Sequence, residues 1–97
     1  MSEQEQVLAY LGLYRRFGDV KSRLEDALRT ADRLARLLLE ARGAPQEEVD
    51  GILAGWPGSD DMVRAVSRYR EARAALYDAW EVMTAEVRTG LRSPEGL

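Results

Sequence analysis

The side chains that most often carry chemistry are scarce in this sequence, which has no histidine and no cysteine. Histidine is the usual general base near neutral pH and the commonest metal ligand, and thiolates are the main soft ligands. The remaining carboxylates of interest, Asp78, Glu81 and Glu86, fall outside the apolar pattern of their helix and indicate a solvated face. Lys21 is the single lysine, and unpaired lysines are rarely buried and activated. The sequence therefore predicts no enzyme, no metal site and no cofactor.

Arginine offers a second kind of chemistry, the recognition of carboxylates and phosphates. Arg64, Arg68 and Arg70 surround Tyr69 in the one cluster that combines basic and aromatic residues. Acidic neighbours interrupt this cluster, and the formal net charge of −3 gives no overall attraction to nucleic acid or to anionic lipid. Arg64 and Arg68 are possible contacts with a partner, and a nucleic-acid-binding helical dimer is kept as an alternative.

The elements that position these residues follow from apolar periodicity. In the first half of the chain, apolar residues alternate three and four positions apart over about three and a half heptads, as in bundled helices. This first seam consists of Phe17, Val20, Leu24, Ala27, Ala31, Leu34, Leu38 and Ala41, widened by Leu28. Leu37 and Leu39 lie off the seam and are possible partner contacts. The pattern predicts a long helix over residues 3–42, and Gly18-Asp19 is a possible joint within it.

Two short stretches then separate the predicted helices. Gly43 and Pro45 end the first helix, and the apolar stripe that follows predicts a short helix over residues 45–54. The stretch Gly55-Trp56-Pro57-Gly58-Ser59 stops that helix, because Pro57 disfavours helical backbone at Trp56. Ser59 is predicted to cap the next helix. Trp56 is expected to pack with the short helix over one end of the long helices.

A second long helix is predicted over residues 60–89, followed by a tail over residues 90–97 that should fray. Its seam again alternates three and four positions apart and consists of Met62, Val66, Tyr69, Arg73, Leu76, Trp80, Met83 and Val87. Arg73 is the one polar member and a possible partner contact. Ala65, Ala72 and Ala79 lie beside this seam and allow a neighbouring helix to approach closely.

These elements predict a single all-α domain, a long antiparallel helical hairpin with a short capping helix in the connection. Each seam is wider than one partner helix covers, so we expect two chains to pair into a four-helix-bundle-like homodimer. A three-helix monomer, with the N-terminal segment folded back, is the alternative. No stretch has the pattern of a signal peptide or the roughly 20 apolar residues of a membrane span. A cytoplasmic location away from membranes is therefore expected.

The triplet Trp56-Pro57-Gly58, placed between two predicted helices, resembles the Trp-x-Gly motif of small helical-hairpin proteins exported by type VII secretion systems. Tyr77-x-x-x-Glu81 is similar to their Tyr-x-x-x-acid export signal, which in that family follows the second helix. The resemblance implies a hairpin that pairs into a four-helix bundle, lacks catalytic residues and leaves the cell without a signal peptide.

The sequence thus predicts a non-enzymatic helical protein–protein interaction module, with no evident small-molecule substrate. It would act through its apolar seams, either by self-association or by binding the helices of a partner. Three alternatives stay open at this point: a secreted Trp-x-Gly hairpin protein, a phage-type inhibitor or assembly factor that binds a larger complex, and the nucleic-acid-binding dimer.

Overall fold

The computed structural model describes residues 2–96 and contains, within that range, four α-helices and one short 3₁₀ turn. The elements are α1 (Glu3–Glu40), α2 (Gln46–Ala54), α3 (Ser59–Glu81), α4 (Ala85–Arg88) and the 3₁₀ turn Pro94–Gly96. Helices α1 and α3 pack against each other, and α2 lies in the connection between them. The predicted all-α hairpin with a short helix in its connection is therefore confirmed.

Helix α1 is one continuous element of 38 residues, about 57 Å long. Ser2 caps it, because its side chain accepts a hydrogen bond of 3.1 Å from the backbone N–H of Glu5. The helix does not break at Gly18-Asp19. Phe17 and Val20 on either side both pack into the hairpin, and this shared packing keeps the backbone helical through the glycine.

The chain reverses direction directly after α1, in the short segment 41–45. Helix α2 then ends at Gly55, where the Leu34 Cδ1 lies 3.7 Å from the position that a Cβ on Gly55 would take. Helix α2 therefore runs back along the last turns of α1, so that α2 and α3 together form the second arm of the hairpin. Gly55–Gly58 is a break within that arm, and 41% of the Trp56 surface stays exposed. Gly58, not Ser59, occupies the capping position of α3.

The second long helix ends earlier than predicted, at Glu81 instead of residue 89. Thr84 adopts extended backbone and caps α4 by accepting a hydrogen bond of 3.4 Å from the N–H of Val87. Arg88 then donates from its side chain to the carbonyls of Trp80 (3.0 Å) and Glu81 (3.3 Å). These bonds satisfy carbonyl groups at the end of α3, so a new helix starts without leaving them unpaired.

The prediction of a frayed tail is also wrong for the described residues, since the tail folds back onto the hairpin. Gly90, with φ +87°, is the one residue of 2–96 in the left-handed region, and it turns the chain. The Tyr10 hydroxyl donates a hydrogen bond to the Arg92 carbonyl, and Pro94 is buried. Residues 84–96 are called the tail below. Leu97, the last residue of the predicted frayed segment, lies outside the described residues.

The core occupies only one half of the hairpin. Helix α1 meets α3 there through aromatic contacts, with ring centroids 5.2 Å apart for Tyr10 and Trp80 and 5.3 Å for Phe17 and Tyr69. The buried cluster consists of Tyr10, Phe17, Ala72, Leu76 and Met83. We call this the tail half. In the other half, towards α2, the buried apolar residues are Leu34 and Ala41. We call this the connection half.

The hairpin is long and thin, with extents of 63 × 22 × 14 Å. Its radius of gyration is 19.5 Å, against about 13 Å for a compact domain of this length. Its accessible surface of 7150 Å² exceeds the value of about 5,600 Å² expected for a folded monomer of its mass. No helix within residues 2–96 is long and apolar enough to cross a membrane.

Candidate interaction surface

The predicted seam residues mostly meet each other inside the hairpin. Five of them are buried: Phe17, Leu34, Ala41, Leu76 and Met83. Nine are partly buried: Val20, Leu24, Ala27, Ala31, Leu38, Met62, Tyr69, Trp80 and Val87. The remaining three, Leu28, Val66 and Arg73, are exposed. Most of the seam therefore forms the contact between the two arms, and Leu28 and Val66 are the apolar members left available to a partner.

Helix α3 packs through one side of the predicted seam: Leu76 and Met83 are buried as predicted, but the neighbouring stripe differs. Ala72 is buried against α1 and Ala79 packs on the same cluster, whereas Arg73 and Val66 are exposed. Alanines seven residues apart form a smooth stripe, and a helix with such a stripe can approach its neighbour closely. Close approach explains why the alanine stripe packs beside Leu76 and Met83, whereas Val66 and Arg73 point outward.

One side of the hairpin is covered by the tail, and we call it the tail face. A Cβ placed on Gly96 would lie 3.4 Å from the Tyr14 hydroxyl of α1. On α3, the Arg88 guanidinium lies 5.1 Å from the centre of the Trp80 ring. Tyr14 and Trp80 therefore mark the stripes of α1 and α3 that lie beneath the tail.

The same stripes continue into the connection half, where the tail does not reach. Leu28 follows Tyr14 by fourteen residues and Val66 precedes Trp80 by fourteen, which is two heptads in each case. Because the arms are antiparallel, both steps lead away from the tail. Leu39 lies three turns beyond Leu28, and Val63 lies one turn before Val66. We call Leu28, Leu39, Val63 and Val66 the open patch, and all four are at least 40% exposed.

Charged residues border the open patch on α1. Glu25 accepts a hydrogen bond of 3.1 Å from Arg29 and forms an ion pair of 3.6 Å with Lys21. The Arg29 hydrogen bond is the main reason that the pKa of Glu25 lies below its usual value, and Lys21 lowers the pKa further. Asp32 pairs with Arg36 at 3.1 Å. Local pairs of this kind keep the border of the patch polar without covering its centre.

On α3, two arginines lie on the same side of the helix as Val63 and Val66, towards the tail half. The Arg73 guanidinium lies 4.5 Å from the centre of the Tyr77 ring, so this predicted contact residue is held on the helix surface. Arg70 lies one heptad after Val63, on the same side of the helix. Neither arginine has a carboxylate partner within the part of the chain that the structure describes.

The other predicted partner contacts do not join this patch. Arg68 lines an open crevice of about 430 Å³ between α1 and α3, together with Arg16 and Arg23. Leu37 follows Arg23 by two heptads, which places it on that opposite face. Arg64 is paired with Asp61 at 2.8 Å. The structure therefore brings Leu39 and Arg73 to the tail face and places Leu37, Arg64 and Arg68 elsewhere.

The sequence reasoning missed the aromatic contacts beneath the tail. Tyr10 is 1% exposed and Tyr14 packs on the same cluster, yet the predicted seam began at Phe17. The available signal was the position of Tyr10, which is seven residues before Phe17 and continues its heptad. The pKa of Tyr10 is raised, mainly because burial disfavours the phenolate and also because Tyr14 and Tyr77 lie nearby.

Among residues 2–96, no group of three or more acidic side chains is placed to hold a metal ion. The open patch is thus the most distinctive surface of the described chain, since it is apolar at its centre and charged at its borders. Comparison of the chain with protein-family models, curated proteins and solved structures finds no match.

Proposed function

We propose that the protein is a helical protein–protein interaction module that binds a second helical surface, of its own kind or of a partner, over the open patch. The observation that carries this proposal is the patch itself. Four large apolar side chains lie exposed on one side of a layer only 14 Å thick. Burying the exposed part of each would contribute on the order of 1 kcal/mol, so all four side chains favour association.

The need for a second layer is greatest in the connection half. Stable domains cover the apolar stripe of each helix with another element. The tail covers the stripes of α1 and α3 at Tyr14 and Trp80. Leu28 and Val66 lie on the same two stripes, but no element covers them. Binding another helix or pair of helices there would complete the packing that the chain leaves unfinished.

The proposal is tested by affinity capture from the native host with three forms of the tagged chain. Leu39→Asp places a charge in the open patch, and Leu8→Asp changes an equally exposed leucine, 63% against 65%, near the other end of α1. The wild type and Leu8→Asp should retain the same helical protein, whether a tagged or untagged copy or another chain, and Leu39→Asp should lose it. Equal recovery with all three forms would contradict the role of the patch.

A secreted hairpin of the Trp-x-Gly kind is a more specific form of this proposal. Its support is the Trp56-Pro57-Gly58 triplet, which lies in the break between α2 and α3. Tyr77 and Glu81 depart from the family pattern, because they lie within the last turns of α3 and the signal is expected after the second helix. Export of the tagged chain from a host with an intact type VII system, lost on Tyr77→Ala, would support this form. Retention of the wild type inside such a host would contradict it.

A further inference from the structure

We propose that the surface that covers the open patch is a second copy of this chain, so that the connection halves of two hairpins pair around a two-fold axis. This inference rests on the proposed function, because it names the partner of the same patch.

The surface area fits such a pair. The chain exposes about 1,500 Å² more than a compact monomer of its mass, and this excess belongs to a layer that has two wide sides. Two copies that each bury about 1,000 Å² would hide about 2,000 Å² in total. That total is at the lower limit of the range for obligate homodimers. One pairing of this size would therefore remove most of the excess.

The shape of the tail face limits where a copy can sit. In the tail half, α4 and the 3₁₀ turn already lie on this face over Tyr14 and Trp80. In the connection half the face is free along Leu28 and Val63. A second two-helix layer placed there makes four helices in cross-section, which is the arrangement of a four-helix bundle. The two tails then act as spacers, and the layers contact each other only along their connection halves.

The test is the molar mass of the purified chain by light scattering after gel filtration, at micromolar concentration. Val63→Asp changes the open patch. Val82→Asp is its matched control, because both valines are 64% exposed and Val82 follows Arg68 by two heptads on the opposite face. The wild type and Val82→Asp should give about 22 kDa, twice the chain mass of 10.9 kDa. Val63→Asp should give the chain mass.

A second variant, Leu28→Gln, reports on the other arm and should also give the chain mass while its helical circular dichroism signal is retained. A dimer mass in both patch variants would overturn the proposed face. A wild-type monomer, combined with a captured protein that Leu39→Asp loses, would overturn self-pairing and leave the interaction module standing. A wild-type monomer whose captured proteins are the same for all variants would overturn both proposals.

Discussion

Removing the hydroxyl group from two tyrosines one turn apart on α1 should change the stability of the protein in opposite directions. The Tyr10 hydroxyl donates a hydrogen bond to the Arg92 carbonyl and ties the tail to α1. The Tyr14 hydroxyl is buried and finds no hydrogen-bond partner among the described residues. Tyr10→Phe should therefore destabilise the protein, whereas Tyr14→Phe should leave its stability unchanged or raise it.

The expected changes in the free energy of unfolding follow from the hydrogen bond that each hydroxyl makes or lacks. A neutral hydrogen bond within a protein contributes about 0.5–1.5 kcal/mol net, so Tyr10→Phe should lower the free energy of unfolding by about 1 kcal/mol. Leaving a buried polar group without a partner costs about 1–3 kcal/mol, so Tyr14→Phe should recover up to about 1 kcal/mol after the loss of contacts. In a domain of this length, 1 kcal/mol shifts the thermal midpoint by about 4–8 °C.

The effect of Tyr10→Phe should depend on pH. The pKa of Tyr10 is raised in the folded protein, chiefly by burial, so folding favours the neutral phenol. Its contribution to stability is fully present below the ordinary value of 10.0 and is lost as the pH rises through the higher folded value. Phenylalanine does not titrate. The stability difference between the wild type and Tyr10→Phe should therefore be constant below pH 10 and shrink above it.

Urea unfolding of the wild type, Tyr10→Phe and Tyr14→Phe, followed by circular dichroism between pH 7 and pH 11, measures all three effects. All samples should be compared at the same chain concentration, because association would add to apparent stability. Equal unfolding free energies for the two variants at pH 7 would refute the assignment of the Tyr10 hydrogen bond. A stability difference that stays constant up to pH 11 would refute the burial of the phenol.

Three further changes test the packing of the hairpin. Leu34→Asp buries a carboxylate without a partner and should unfold or dissociate the protein, whereas Arg36→Ala removes one exposed ion pair and should cost about 0.5 kcal/mol or less; equal thermal midpoints would refute the role of Leu34. Ala72→Leu should cost about 1–3 kcal/mol in urea unfolding, because Ala72 is buried where the arms meet, and an unchanged midpoint would mean that the arms are not closely packed. Gly90→Ala would force an alanine into the left-handed backbone at φ +87°, so the tail should detach more often and its amides should exchange hydrogen faster. Unchanged exchange would contradict a docked tail.

The sequence could predict α1 and the hairpin because their signal is long and regular. Apolar residues from Phe17 to Leu38 keep one phase, and no proline interrupts them. The same signal misled at the end of α3. Met83 and Val87 continue the spacing of the seam across the break, so periodicity alone cannot show that the helix ends at Glu81. The break depends on the Thr84 cap and on Arg88, which are interactions of single side chains.

Periodicity also left open which of two neighbouring stripes of α3 packs against α1 beside Leu76 and Met83. The stripes that contain Val66 and Ala65 have the same heptad repeat, and the larger residues suggested the first of them. The structure turns the alanine stripe towards α1, because close packing of two helices favours small residues at the contact. This packing exposes Val66 and Arg73, and so it creates the α3 side of the open patch. The patch could therefore be identified only once the packing was known.

The central claim is that the open patch is covered when the protein functions. Because the chain contains no cysteine, single introduced thiols can test this claim directly. Val63→Cys and Val82→Cys each introduce a single thiol at a position that is 64% exposed in the isolated chain. Their labelling rates with a maleimide are compared in native-host extract and in dilute urea-unfolded samples, which correct for intrinsic reactivity. The account predicts that the Val63→Cys thiol is labelled at least several-fold more slowly than the Val82→Cys thiol. Equal corrected rates would contradict it.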